Sequence, residues 1–409
     1  MSWIHQFRAL TTRQRHAFLA CLLGWTLDAF DFFIVVFCLL PISKEFHVGV
    51  PAVAQAIFLT LAFRPAGALI FGVLADRFGR RPTLMINIGC FSALELACAF
   101  APSLHVLLIL RACFGVAMGG EWGVGAALAL ESLPAEGRGF FSGLLQEGYA
   151  LGYLLAGAAY SLLFHWIGWR GLFIVGAAPA VLVAYIGFKV EESPVWVEGR
   201  ARKPVKTTPR MMLEHIRRYG LTFLFLILLM TGFNAFSHGT QDLYPTFLEH
   251  DLHLSVEATG RIAVVYMVGA ILGGVTIGAL SERFGRKKAI IGAALLSIPI
   301  IPLFALAHSL WLVAPGAFLM QFMVQGAWGV VPAYLSELSP EPVRATFPGL
   351  AYQLGNLITS RNSVLQAQAA VRFGGLAKVL AFTVLIVAAY LAIVTSFGRE
   401  SRGADLSAE

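Results

Sequence analysis

Long apolar runs, broken by short polar stretches, occupy almost the whole chain. They lie at about 16–40, 53–75, 82–101, 104–131, 139–164, 169–188, 219–247, 258–280, 288–307, 309–336, 345–370 and 374–397. A helix rises 1.5 Å per residue, so about 20 apolar residues cross a hydrocarbon layer of about 30 Å. Membrane barrel strands are about ten residues long and alternate in polarity, which these runs do not. Only 13% of the residues are charged and 58% are hydrophobic. A soluble domain carries about 25% charged residues. The pattern predicts an all-α polytopic membrane protein with twelve transmembrane helices.

The formal net charge of +7 invites a nucleic-acid reading, and its distribution removes it. With twelve spans both termini share one side. That side carries 22 of the 30 Lys and Arg residues, against 5 on the other side. Basic loops stay in the cytoplasm, so both termini are expected there and the charge is topological. The remaining three, Arg64, Arg111 and Arg361, fall inside spans. A bacterial inner membrane is the expected location. The first apolar run lacks Ala-x-Ala-like cleavage chemistry after it and reads as a retained helix. Cys21, Cys38, Cys90, Cys98 and Cys113 all fall in spans without metal-ligand spacing and read as buried structural thiols. No metal or cofactor is expected.

The chain repeats itself. Gly72-Val-Leu-Ala-Asp76-Arg77-Phe-Gly79-Arg80-Arg81 returns 206 residues later as Gly278-Ala-Leu-Ser-Glu282-Arg283-Phe-Gly285-Arg286-Lys287. Trp122, Glu131, Pro134, Arg138 and Gly143 match Trp328, Glu337, Pro340, Arg344 and Gly349 at the same offset, and Asp28-Ala-Phe matches Asn234-Ala-Phe. Two six-helix halves follow, 1–188 and 219–409, joined by a charged linker at 189–218.

The Gly-x-x-x-Asp-Arg-x-Gly-Arg-Arg loop after the second helix resembles the signature of the major facilitator superfamily, and through the repeat the resemblance covers the whole chain. It implies that fold, a monomer, and alternating access. Acids at helix ends beside basic groups and helix N-termini suit a gate that holds one side shut. Asp76, Arg77, Arg80, Glu131 and Arg138, with Glu282, Arg283, Arg286, Glu337 and Arg344, are the gating candidates.

Charges found in only one half break the symmetry, and an ionisable group in a span is a functional candidate by default. The first half holds Asp28, Asp31, Arg64, Glu95, Arg111, Glu121 and Glu147, where the second has Asn234, Ser237, Ala270, Ile301, Ala317, Ala327 and Gln353. Asp28 and Asp31 share a helix face, and two close carboxyls in low dielectric resist ionising together, which suits a proton carrier. Helix rise puts Asp31 and Arg64 at one depth, about 16 Å from the outer surface, so they are expected to be able to pair. Glu121 and Glu147 are candidates for relaying a proton or pairing with a basic loop.

His238 and Asp242 share a face of the seventh helix, and imidazole titrates near neutral pH. The dense polar groups from Asn234 to Thr246, with Gly239 and Pro245, predict a water-lined and partly unwound segment. The pattern Asn234-x-x-Ser237-His238-x-Thr240-Gln241-Asp242-x-x-x-Thr246 resembles the seventh-helix signature of the fungal lactate permeases. That resemblance assigns substrate binding and proton coupling to Asn234, His238, Gln241 and Asp242. Asp28-Ala-Phe-Asp-Phe-Phe is similar to the first helix of that group and of the bacterial sialate symporters. The aromatic-acid proton symporters carry Asp-Gly-x-Asp, from which Ala29 departs. The sialate carriers have extra central helices that the linker lacks.

A carboxylate substrate needs a cation, and arginine offers a two-pronged grip. Arg361 lies about 25 Å from the cytoplasmic surface by helix rise, near the midplane, amid Asn356, Asn362 and Gln366, and is the first choice. Arg64 is the second. Arg111 resembles the superfamily's fourth-helix arginine and reads as a coupling residue. Gln321 and Gln325 are expected to line the cavity or bond helices together. The expected function is proton-coupled symport of a small organic anion, a monocarboxylate such as lactate or pyruvate. The rivals are a carrier for a larger acid such as sialate or an aromatic acid, and a non-transporting sensor. No nucleophile with a base and an orienting group points to an enzyme.

Overall fold

The structure is a computed structural model that describes residues 10–202, 214, 217–404 and 406. Arg8 and much of the expected linker (203–213, 215 and 216) lie outside the described residues. Among the described residues all regular structure is helical. The first half comprises α1 (Thr12–Glu45), α2 (Val50–Phe78), α3 (Arg80–Ala99), α4 (Leu104–Ser132), α5 (Arg138–Gln146), α6 (Gly148–Gly176) and α7 (Ala180–Lys189). A short α8 (Pro194–Arg202) follows. The second half comprises α9 (Gly220–Gln241), α10 (Val256–Phe284), α11 (Arg286–Ser297), α12 (Leu310–Leu338), α13 (Thr346–Thr359), α14 (Asn362–Phe373) and α15 (Leu376–Phe397). Local chemistry starts several of these helices. Thr11 and Gln14 form a capping box at α1, and Ser103 and Ser255 cap α4 and α10.

Among the described residues ten helical stretches are long and apolar enough to cross a membrane. One of them, Arg138–Lys189, has 52 residues and turns back at Gly168, whose φ of 63° favours glycine, so it supplies the fifth and sixth crossings. The eleventh crossing is α13 with α14. Apolar side chains face outward: Phe188, Leu221, Trp311 and Val371 are each more than four-fifths exposed. A hydrocarbon surround accounts for such a surface.

The repeat governs the geometry to the residue. The ends of α2 and α10, the starts of α3 and α11, and both ends of α4 and α12 are each 206 apart. Gly79 and Gly285 make the turns between them with φ of 110° and 96°, in the left-handed region that favours glycine. Gly67 packs on the Val116 backbone of α4, and its twin Gly273 packs on Phe322 of α12. These contacts let neighbouring helices touch backbone to backbone.

Three expectations need correction. The span at 345–370 is not one helix: α13 ends at Thr359 and α14 begins at Asn362. The run Thr359-Ser360-Arg361-Asn362-Ser363 offers side chains that compete for backbone groups. The seventh helix does not loosen at Gly239; it runs to Gln241, breaks at Asp242–Leu243 and resumes with Pro245 in the first turn of Tyr244–Thr246. Proline has no N–H to lose there. Of the five cysteines, Cys90 and Cys113 are exposed rather than buried, on the outward face of the helices.

The halves meet near the face that bears the described chain ends, here called the terminal face. There α5 packs on α10 and α12, while α13 packs on α2 and α4. Below the seam, each half is tied by one buried fork. Arg80 Nε and Nη2 donate to Glu131 Oε2 and Oε1 at 3.1 and 2.9 Å. Arg286 Nε and Nη2 donate to Glu337 Oε2 and Oε1 at 3.1 and 2.9 Å. Arg80→Ala or Glu131→Ala should each destabilise the protein by about 3 kcal/mol, because the surviving buried charge loses its forked counter-charge and keeps only a weaker partner, Asp76 for Arg80 and the Ser193 hydroxyl for Glu131. The double variant should cost clearly less than the two singles combined. Thermal unfolding in detergent reads this, and additive losses would refute the coupling.

Candidate substrate and proton site

The first half encloses a cluster of acids and arginines from four helices. Arg111 of α4 donates Nη1 to Glu95 Oε2 of α3 at 2.6 Å, and its Nε approaches Thr60 Oγ1 at 3.4 Å. Asp28 of α1 lies within electrostatic reach of Arg64, Arg111 and Glu95. Asp31 and Glu95 meet beside Gly176 of α6. Asp31 makes no ion pair with Arg64, so the pairing that helix rise allowed is absent. Glu121 of α4 turns toward Gly24 of α1 and is within electrostatic reach of Asp28 and Arg64. Both oxygens of Asp28, Asp31 and Glu121 are buried without a hydrogen-bond partner among the described residues.

Arg64 is the unusual member. It is 2% exposed, and its Nε and Nη2 have no partner among the described residues. Its guanidinium carbon lies 6.0 Å from the Tyr352 ring of α13. Tyr352 also packs against Trp122 and Trp328, so an aromatic cluster from both halves closes the seam beside Arg64. Trp122 Nε1 donates to Gln146 Oε1 at 3.1 Å; Gln146 is the twin of Tyr352, so the two tryptophans face equivalent positions.

The second half answers with amides and hydroxyls. His238 Nδ1 lies 3.2 Å from Asp242 Oδ1, and Asp242 Oδ2 accepts Ser363 Oγ of α14 at 2.6 Å. Asn356 of α13 lies beside His238. Gln241 Nε2 donates to Gln321 Oε1 at 2.7 Å, and Gln325 Nε2 donates to Ser237 Oγ at 3.2 Å. Gln366 ties α14 to α9 through the Gly239 carbonyl at 2.9 Å. Asn234 turns to its own helix and donates to the Met230 carbonyl. The His238 and Asp242 side chains are 37% and 33% exposed. Arg361 sits at the α13–α14 break, exposed, with Leu357, Ile358, Val364 and Leu365 exposed around it. It is not grouped with Asn356 and Ser363.

At the terminal face Asp76, Glu282 and the Arg138–Glu337 pair bridge the halves. Asp76 caps α13, accepting Ala345 N at 3.1 Å, Thr346 N at 3.2 Å and Thr346 Oγ1 at 2.6 Å. Its twin Glu282 accepts Gly139 N of α5. A carboxylate at a helix N-terminus meets unsatisfied N–H groups and the positive end of the dipole. Arg138 Nη1 lies 3.5 Å from Glu337 across the seam and donates to the Ala404 carbonyl at 2.9 Å; Arg344 Nη1 donates to Leu406 at 2.8 Å. The Arg77 and Arg283 carbonyls accept Arg200 and Arg402.

Residues 21–241 match the Major Facilitator Superfamily, and residues 221–402 match the family Sugar (and other) transporter. The chain belongs to the major facilitator superfamily. It is a multi-pass membrane transporter and not an enzyme. A "Carboxylic acid transporter protein homolog" of Saccharomyces cerevisiae is 30% identical over 392 residues, 90% of this chain; the chain spans 64% of that relative's length. A "Probable 4-methylmuconolactone transporter" of Cupriavidus pinatubonensis is 30% identical over 97% of this chain and 93% of its own. The "Sialic acid transporter NanX" of Escherichia coli is 28% identical, with 85% of each covered. Among solved structures, the proton:xylose symporter XylE superimposes with a TM-score of 0.73 at 20% identity, over 97% of this chain and 98% of that one, which establishes the shared fold.

Sequence reasoning missed two pairs of anchors in this facilitator. Glu192 accepts the Arg80 and Arg81 N–H groups, and Glu400 accepts those of Arg286 and Lys287. Ser193 and Ser401 donate to Glu131 and Glu337. These Glu-Ser pairs stand 208 apart, so a scan at 206 passes over them. Glu45 and Asp251, 206 apart, anchor the helices on the far face: Glu45 accepts Arg170 Nη2 at 2.7 Å, and Asp251 accepts Leu376 N at 2.7 Å. The terminal face is sealed while His238 reaches solvent. In a variant with the native cysteines replaced, a cysteine at 238 should react with an impermeant thiol reagent from the far face. One at 352 should not; equal labelling of both would contradict this geometry.

Proposed function

We propose that this facilitator is a proton-coupled symporter of a small monocarboxylate, of the lactate or pyruvate type, working by alternating access. The observation that carries the reading is the open edge of Arg64. Nε and Nη2 form the side of a guanidinium that grips both oxygens of a carboxylate. Arg80 and Arg286 spend that edge on internal glutamates. Arg64 presents the same edge, buried, with no protein acid on it. This moves the substrate role from Arg361 to Arg64. Ser237, Gln241, Gln325, His238 and Asn356 of the opposing half would hold the substrate's remaining polar atoms.

Charge balance supports the proton. Arg111 is committed to Glu95, which leaves Asp28 and Glu121 within reach of the Arg64 guanidinium and Asp31 beside Glu95, three acids to one uncommitted arginine. A further carboxylate on Arg64 deepens that deficit, and protons taken up with the substrate offset it. Asp242, held by His238 and Ser363 at the mouth, is the entry point. The bias of basic loops supports a cytoplasmic terminal face, and bacterial relatives of nearly the same length support an inner-membrane location.

A ring-bearing acid is a second reading, favoured by the Tyr352 ring beside Arg64 and its packing with Trp122 and Trp328. Competition by unlabelled lactate, pyruvate, benzoate and sialate separates the two.

Uptake into proteoliposomes should rise with an inward proton gradient; a flat response would end the coupling claim. Arg64→Gln should raise the KM for the monocarboxylate by about tenfold or more, as loss of a charge-assisted fork predicts. Asp28→Asn should abolish accumulation while leaving exchange of substrate across the membrane measurable.

A further inference from the structure

Glu147 lies apart from the acids that surround Arg64. It joins α5 to α6 and is 2% exposed. Its carboxyl points across the seam between the halves: a methyl group at Gly274 of α10 would collide with Glu147 Oε1. Among the described residues Oε1 has no hydrogen-bond partner, and the carboxyl makes no ion pair. The groups around it are neutral. From α10 comes Gly274, from α12 the Gln325 carbonyl, and from α1 Trp25 and Thr26, which flank Gly148. Titratable residues on the elements packed here are engaged elsewhere: Tyr149 of α6 stacks on Trp25, and Glu282, two turns along α10 from Gly274, is held by Gly139 and Arg286. At offset 206 the twins of Glu147 and Gly274 are Gln353 and Ala68, so the duplicate position carries a neutral amide.

We propose that Glu147 is a second proton site, one whose occupancy is tied to closure of the cytoplasmic seam. An ionised carboxylate in this buried position, without an ion-pair partner among the described residues, would cost several kcal/mol, so the closed seam favours the proton. When α5 parts from α10, water reaches the carboxyl, the proton leaves to the cytoplasm, and the charge then opposes reclosure. Protonation of Glu147 and opening of the seam are therefore linked, and each shifts the other by the same factor. The device adds a step to the coupling proposed above and rests on it only for the direction of proton release.

The test reads the gate alone, without substrate or gradient, so its failure is distinct from a failure of symport. Spin labels go on Thr12→Cys and Lys288→Cys, exposed positions in opposite halves at the terminal face, with the native cysteines replaced. Between about pH 5.5 and about pH 8.5 the longer-distance population should grow by about threefold or more, because a titrating group with no compensating charge shifts the equilibrium in this range. Glu147→Gln should keep the short distance at every pH, and Glu147→Asp should keep the response with a displaced midpoint. Gly274→Ala, which crowds the carboxyl, should raise the longer-distance population at low pH. A flat wild-type profile, a pH response that survives in Glu147→Gln, or populations unmoved by Gly274→Ala would each overturn the proposal.

Discussion

A charge placed inside a hydrocarbon layer must find its counter-charge within the same chain, and that requirement organises this protein. Arg80 with Glu131 and Arg286 with Glu337 meet it completely, with two parallel hydrogen bonds each and the same distances in both halves. Around each fork the remaining lone pairs and N–H groups are also filled. A serine donates to the glutamate, and a second glutamate accepts the N–H groups that open α3 or α11. A buried ion pair broken on one side costs more than it contributes when whole. Each fork therefore fixes its loop in one geometry, and the loops in turn present Asp76 and Glu282 to the helix ends of the opposite half.

Those two acids show how a closed seam can be stable and still reversible. Each binds backbone N–H groups at the start of a helix in the other half, Asp76 at α13 and Glu282 at α5. When the seam opens, water can replace those donors at the surface, so the cost of parting is modest. The two hydrogen bonds of each fork lie within one half, and only the longer Arg138–Glu337 contact of 3.5 Å reaches from a fork across the seam. Strong pairs within halves and exchangeable caps between halves suit two bodies that part and rejoin at this face.

Much of the fold was legible because apolar run length and a constant offset are properties of the sequence itself. The offset set the helix ends at Phe78 and Phe284 and the glycine turns that follow. Partners were less legible, because depth along a helix does not say which way a side chain points. Asp31 and Arg64 share a depth, yet Asp31 turns to Glu95 and Gly176 while Arg64 faces Tyr352. Arg361 has polar neighbours in sequence, but the break between α13 and α14 leaves it on an exposed rim. The anchors Glu192 and Glu400 escaped because two extra residues before the second copy shift it to 208, while the hydrogen bonds they make are the same.

The halves share a scaffold but divide their polar groups by kind. The second half lines its wall with Gln241, Gln321, Gln325, Asn356 and Ser363, groups that can exchange hydrogen-bond partners during a conformational change without altering net charge. The first half buries Asp28, Asp31, Glu121 and Glu147, which cannot lose or gain a partner in low dielectric without a proton moving as well. In the second half the one site carboxyl, Asp242, is held by His238 and Ser363, so it does not face the acids of the first half unpaired. An amide-rich wall opposite the buried acids keeps like charges from meeting across the seam, and the burden of moving protons proposed above then falls on the first half.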